Sequence, residues 1–391
     1  MKKIKLKRNE DKRIRNGHLW VFSNEIDKIE EGIGNGDLVL VHDSKDGLIG
    51  TGFYNKNSLI AVRILSSVKI ENLKEDFRRK LLNAYQLRKE FYPSDNSFRL
   101  SFSESDYLPG LIIDKYNRTF VLQVYSFGME MNISLIVDVL KEEFNAENIF
   151  SKNEDYFRTL EGLPTEDKVY LGQIKNETIN DGSLNYNINF EKGHKTGFYF
   201  DQRDNRFFIE RLAKGKTVLD AFCNSGGFGL HAAKAGAAKI TFVDSSANEI
   251  ESAKENFTLN NFPNDSDFII EDVFNYLEKA TAVGIKFDIV IVDPPAFAKS
   301  RKNIPTAKKG YERLNKLAMQ CVSPGGYLVT SSCSYHITRD DFISAIGNAS
   351  VKAARPVQLI YFNSASMDHP KLPSMPETSY LKFGVFRVNN F

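Results

Sequence analysis

From residue 216 onward the chain keeps one rhythm, and that rhythm leaves little choice of fold. TVLDAF is extended, GLHAAKAG helical, KITFVD extended, ANEIESAKENFTLNN helical, DFIIED extended, VFNYLEKAT helical and FDIVIVD extended. Strict βα alternation implies right-handed crossovers and hence a doubly wound, mostly parallel sheet, the α/β class. Such sheets bind ligands at the carboxyl ends of their strands, so the residues that end each strand carry the functional information.

The rest of the chain is organised differently. At 391 residues the protein exceeds a single small core, and a prior of roughly one domain per 100 to 200 residues gives two or three. GDLVLVHD, GLIGTGFYN and SLIAVRILS, within residues 36–65, alternate with period two between glycine-bearing turns and predict a small β-barrel-like module. Apolar residues at helical spacing predict a helix over 73–92, and an α+β module extends to about residue 190. The expected boundaries are 1–70, 71–190 and 191–391.

No apolar run approaches the ~18 residues of a membrane span, and the basic N-terminus has no apolar stretch behind it, so a cytoplasmic protein is expected. Cys223, Cys321 and Cys333 form no C-x-x-C pair, which argues against a metal site or a disulfide framework; any special cysteine acts alone. Net charge is only +2, but eight of the first fifteen residues are Lys or Arg, and residues 299–309 hold five basic side chains and no acidic one.

VLDAFCNSGGFG sets a strand ending at Asp220 against a turn bearing Gly226, Gly227 and Gly229, where backbone can approach a ligand closely. The next two strands end in Asp244 and Asp272. A dinucleotide fold wants G-x-G-x-x-G, whereas Asn224 stands at the first glycine position, and Asp220 would repel a pyrophosphate yet suits the amino group of a methionine moiety. S-adenosylmethionine therefore fits better than NAD, with Asp220, Asn224, Gly226, Gly227, Asp244 and Asp272 as its expected contacts. The plainer reading is that Asp244 and Asp272 merely cap the following helices, but acids at three successive strand ends, Asp220 included, argue against it for all of them.

Strand four ends in DPPAF, whose prolines hold the chain extended and fix the Asp293 carboxylate beside the cofactor. Strand five runs through GYLVTSSCS and brings Cys333 to the same edge. C5 of cytosine is too poor a nucleophile to attack a methyl sulfonium unaided. A thiolate added at C6 makes C5 carbanion-like, and Cys333 is the expected nucleophile, with Asp293 stabilising charge on the ring. Taken alone Cys333 would be a small buried residue; its neighbours Ser331, Ser332 and Ser334 favour the reactive role. A thiol of pKa ~8.5 also needs nearby positive charge to ionise at neutral pH. Cys223 and Cys321, the latter assigned to the helix RLNKLAMQCV, are expected to be structural.

GHKTGFYFDQRDNR, VLDAFCNSGGFG, VDPPAFAKSR and SSCS, behind GHLWVFSNEI, resemble the RlmI-type large-subunit ribosomal RNA methyltransferases over nearly the whole chain. The resemblance implies an N-terminal PUA domain, a central α+β domain, a Rossmann-like class I methyltransferase domain and formation of 5-methylcytosine in 23S rRNA. It also implies that Phe198, Asp201 and Arg203 help enclose the cofactor. Arg13, Arg15 and Trp20 would grip RNA, while Phe297 stacks on bases and Lys299, Arg301 and Lys302 neutralise phosphates. The expected partner is 23S rRNA, with no membrane and no metal; a homodimer is left open. Where many RNA cytosine-5 methyltransferases carry a second cysteine after this segment, Ala296 stands here, as in the RlmI type. The rival reading is a guanine N-methyltransferase, N7 or N2, in which Cys333 is a bystander. A non-catalytic RNA-binding assembly factor is disfavoured by the intact set of acids.

Overall fold

The computed structural model describes residues 1–191, 196–298 and 300–390. The chain forms two compact units, one made of Met1–Gly182, Ile188–Phe200 and Met367–Thr378, the other of Ser183–Asn187, Asp201–Ser366 and Ser379–Phe391. Among the described residues no helix is long and apolar enough to cross a membrane.

The first unit carries two main sheets. One has six strands in the order Trp20–Phe22, Ile60–Ser66, Leu48–Tyr54, Leu38–His42, Lys3–Leu6, Ile26–Ile29. All its pairs are antiparallel except Lys3–Leu6 with Leu38–His42. The basic N-terminus is thus partly a strand: Ile4 and Leu6 are fully buried while Lys3 faces out. The other sheet runs Val169–Leu171, Asn148–Ser151, Thr119–Val124, Leu111–Tyr116, Ser97–Phe102. Helices Leu73–Phe91 and Ile133–Phe144 cover it through Phe77, Leu81, Ile136 and Leu140, which share one core with Phe98, Ile113 and Phe120. Asn72 starts the first of these helices by accepting from Glu75 N at 3.2 Å.

The second unit is a seven-stranded sheet of β1 (Thr217–Ala221), β2 (Lys239–Asp244), β3 (Asp265–Ile270), β4 (Phe287–Val292), β5 (Val322–Ser332), β6 (Val357–Asn363) and β7 (Lys382–Val388). Its helices are α1 (Arg203–Ala213), α2 (Gly227–Lys234), α3 (Ala247–Leu259), α4 (Val273–Val283), α5 (Ile304–Gln320) and α6 (Arg339–Ala353). The strand order is β3-β2-β1-β4-β5-β7-β6, parallel but for β7, which is antiparallel to both neighbours. Order reverses between β1 and β4, where Ala221 faces Val292, so Asp220 and Asp293 end up side by side. β1 and β4 are buried on both faces, as parallel strands under helices must be.

Three local expectations are corrected. Strand five, expected through GYLVTSSCS, begins earlier, at Val322, and Pro324, Gly325 and Gly326 bulge within it, the register passing from Phe287↔Val322 to Ile289↔Tyr327. Cys321 ends α5 as its C-cap and is fully buried. Gly229 lies inside α2, not in the turn, and a Cβ there would sit 2.1 Å from Cε1 of the buried Phe242 ring, so this glycine lets the helix lie on β2. Gly229→Ala should therefore destabilise by about 1–3 kcal/mol through overpacking. Gly347→Ala in α6, which meets nothing within 4 Å, should stabilise by about 0.5–1 kcal/mol; urea denaturation of both variants checks the pair.

Candidate active site at the β1/β4 edge

Asp220 is 1% exposed. Its Oδ2 accepts from Gly229 N at 2.7 Å, and its Oδ1 is buried with no hydrogen-bond partner. Burial pushes its carboxyl up to about 8, the Gly229 amide works against this, and the charge of Asp293 adds to it. The turn that follows is strained: Phe222 at φ 60° and Asn224 at φ 49° are left-handed, as is Gly226 at φ 86°. Asparagine tolerates that region, which accounts for Asn224 at the position of the missing glycine. Asn224 N donates to Asp244 Oδ2 at 3.1 Å and Ser246 N to Asp244 Oδ1 at 3.0 Å. Asp244 does not cap α3; Ser246 does. Asp272 does cap its helix, Oδ1 accepting from Asn275 N at 3.0 Å.

Asp293 follows β4 and is half-buried, its carboxyl pushed up to about 7 by desolvation first and the charge of Asp201 second. Gln202 Nε2 donates to Asp293 Oδ1 at 3.0 Å and to Ser331 Oγ at 3.2 Å, joining the ends of β4 and β5. Cys333 lies one residue beyond β5, half-buried, its Sγ 3.8 Å from the Pro294 carbonyl oxygen; Cys223 and Cys321 are buried. The hydroxyls around Cys333 are turned inward. Ser332 Oγ donates to Tyr311 Oη at 2.9 Å, Tyr311 Oη lies 2.8 Å from Ser334 Oγ, and Ala298 N donates to Ser334 Oγ at 3.1 Å. They fix the backbone on either side of the thiol.

Other expected site residues are spread out. Asp201 takes a hydrogen bond from Tyr380 Oη at 2.5 Å, and its Oδ1 is buried with no hydrogen-bond partner. Arg203, at the start of α1, is buried. Phe198 belongs to the first unit, where its N donates to Tyr116 Oη at 2.9 Å and its ring packs on Phe200. Arg13 pairs with Glu25 at 2.6 Å, Arg15 with Asp11 and Asp43 at 2.6 Å each, and Trp20 Nε1 donates to Glu104 at 2.8 Å. Phe297 stacks beside Tyr311 with ring centroids 4.7 Å apart. Arg301 and Lys302 are exposed in a short turn before α5; Lys299 lies outside the described residues. Sequence reasoning passed over Gln202 and Arg206, although both stand in the quoted GHKTGFYFDQRDNR. The Arg206 charge lowers the Asp220 and Asp293 carboxyls.

The strand order, the paired acids at the reversal and an unpartnered carboxylate oxygen suited to an ammonium define an S-adenosylmethionine-dependent methyltransferase. Residues 170–387 match the S-adenosylmethionine-dependent methyltransferase family and residues 4–67 the PUA-like domain. The chain is 36% identical to ribosomal RNA large subunit methyltransferase I of Pseudoalteromonas atlantica, with 99% of each covered. It is 37% identical to the protein of that name from Aliivibrio fischeri, over 98% of this chain and 99% of that one. Among solved structures, a methyltransferase complexed with SAH superposes with a TM-score of 0.85 at 22% identity, covering 99% of this chain and 100% of that one. A Streptococcus mutans S-adenosylmethionine-dependent methyltransferase gives a TM-score of 0.84 at 22% identity with the same coverage. The chain belongs to the ribosomal RNA large subunit methyltransferase I family, and its cofactor is S-adenosylmethionine.

The state of Asp220 gives a two-sided prediction. Its carboxyl titrates near 8 when folded and near ~3.9 when unfolded. The folded chain holds the extra proton between those values, so this group's cost to stability grows as pH rises from about 4 to about 8. Asp220→Asn should raise the melting temperature of the ligand-free protein at pH 8. It should also weaken S-adenosylmethionine binding about tenfold or more by calorimetry, the loss of a charged hydrogen bond.

Proposed function

We propose that this protein methylates C5 of a cytosine in 23S ribosomal RNA through a covalent bond between Cys333 and C6 of the base. The large-subunit RNA substrate is carried over from the relatives' name. The carrying observation for the chemistry is Cys333 Sγ set 3.8 Å from the carbonyl of Pro294, the residue that follows Asp293, with both Cys333 and Asp293 half-buried. Along the chain, residues 1–70 would serve as the RNA-gripping PUA module, 71–190 as the central domain and 191–391 as the methyltransferase domain.

Bound S-adenosylmethionine supplies an electrophilic methyl group. Asp220 would hold its amino group through the unpartnered Oδ1, Asp244 its ribose hydroxyls, and Asn224, Gly226, Gly227 and Asp272 would line the rest, with Phe198, Asp201 and Arg203 helping to enclose it. The Cys333 thiolate adds to C6, and the C5=C6 electrons become available at C5. Asp293, titrating near 7, is partly protonated at neutral pH, so one oxygen can donate to N3 while the other accepts from the 4-amino group as charge builds on the ring. Once C5 carries the methyl, a base removes its proton, the double bond re-forms and the thiolate leaves. The base must be extruded from its stack, at a cost of a few kcal/mol. Phe297, Lys299, Arg301 and Lys302 would receive it and its phosphates. Arg13, Arg15 and Trp20 would meet RNA only by exchanging their present carboxylate partners.

Labelled S-adenosylmethionine and unmodified 23S rRNA test this reading. The wild type should yield 5-methylcytidine by nucleoside mass spectrometry, and Cys333→Ala should lose about a thousandfold or more of the rate. A methylated guanosine made equally by both proteins would overturn it in favour of the guanine reading.

A further inference from the structure

The proposed chemistry needs Cys333 as a thiolate, and an ordinary thiol is only a few per cent ionised at neutral pH. Along the chain nearby, His336 and Arg339 are the nearest groups that can carry positive charge. The fold brings another from 49 residues away.

Lys382 is the first residue of β7 and stands opposite Ser332 in antiparallel register. Its Nζ donates to the carbonyl oxygens of Ser334 and Tyr380, both at 2.6 Å, so the ammonium rests on the backbone of the residue that follows Cys333. The side chain is 7% exposed. A buried ammonium is costly unless an anion compensates it. Two carbonyls offer partial charge only, and among the described residues no carboxylate forms an ion pair with Lys382. Asp341 acts on it through space but is itself tied to Lys308 and to Thr338. Cys333 is the group whose negative charge Lys382 feels most.

We infer that Lys382 is a positioning residue for the methyl transfer: its ammonium, fixed by two backbone carbonyls, is the counter-ion that keeps Cys333 ionised. This rests on the reading of Cys333 as the nucleophile. The thiol proton departs to solvent through the open side of Cys333. Lys382 keeps its protons, and no bond forms between the two. Burial lowers the lysine and the charges of Cys333 and then Asp341 oppose it, leaving it at about 8, so it is mostly cationic at neutral pH and each group of the pair favours the charged form of the other. Among the described residues, Tyr311 also senses the Cys333 charge; burial and that charge hold it un-ionised, so it supplies no cation.

The test is the pH dependence of iodoacetamide alkylation of the full-length protein, read at Cys333 by peptide mass spectrometry, with buried Cys223 and Cys321 as internal references. The wild-type thiol should titrate about one unit or more below ~8.5. Lys382→Met should raise that midpoint by about one unit and slow alkylation at pH 7 about tenfold, while Lys382→Arg should keep the low midpoint. A folded Lys382→Met whose profile superimposes on the wild type overturns the inference, as does a midpoint that moves only in His336→Gln. Should Lys382→Met not fold, Cys333→Ser gives the reciprocal reading: the lysine midpoint, followed by NMR of labelled lysine, should fall, and an unchanged midpoint overturns the inference. Alkylation needs neither RNA nor cofactor. An active Cys333→Ala enzyme would thus end the nucleophile reading without touching this result.

Discussion

Two carboxylates, Asp220, closed off from water, and Asp293, half-buried, stand at the ends of neighbouring strands, and much of this edge consists of what it takes to hold them there. Neither is a stable place for a negative charge, and burial drives both carboxyls far above their ordinary range. The reversal of strand order between β1 and β4 forces them together. The compensations are specific: a helix amide on Asp220, a glutamine amide on Asp293, and the through-space charge of Arg206 on both. One oxygen is left without a hydrogen bond, and a cationic amine is what such a place accepts.

The same economy governs the β5 end. Three serines there look, on paper, like a reactive surface, but each is buried and bonded. Ser331 ties the strand to Gln202, while Ser332 and Ser334 close on Tyr311 from α5, so Cys333 sits on a backbone held from both sides. A thiol positioned this way would lose little freedom on meeting a base, as the proposed nucleophilic role requires of near-attack geometry.

How much of this was legible in the sequence follows from the range of each interaction. The βα alternation and the acids ending β1 and β2 are local signals, and the elements from β1 to β4 fall where the pattern puts them. The basic N-terminus hid a strand because its charges masked the alternation of Ile4 and Leu6. β6 and β7 went unseen because an antiparallel pair closing a parallel sheet breaks the rhythm that announced the rest. Asp272 shows the limit of reading strand ends, since its carboxylate caps α4 whatever else it does. Gln202, Arg206 and Lys382 were out of reach for another reason: each acts on partners 14 to 129 residues away, and only the closed sheet brings them together.

The central claim is the bond between Cys333 and the base, and it can be caught directly. A fluorine at C5 cannot depart as a cation, so an RNA substrate carrying 5-fluorocytidine at the target should stop the cycle after methyl transfer. Intact-mass measurement of the protein incubated with that RNA and S-adenosylmethionine should then reveal a covalent protein–RNA species, mapped by digestion to the peptide holding Cys333. Methylation of ordinary RNA at full rate, with no such species on the fluorinated substrate, would contradict the account.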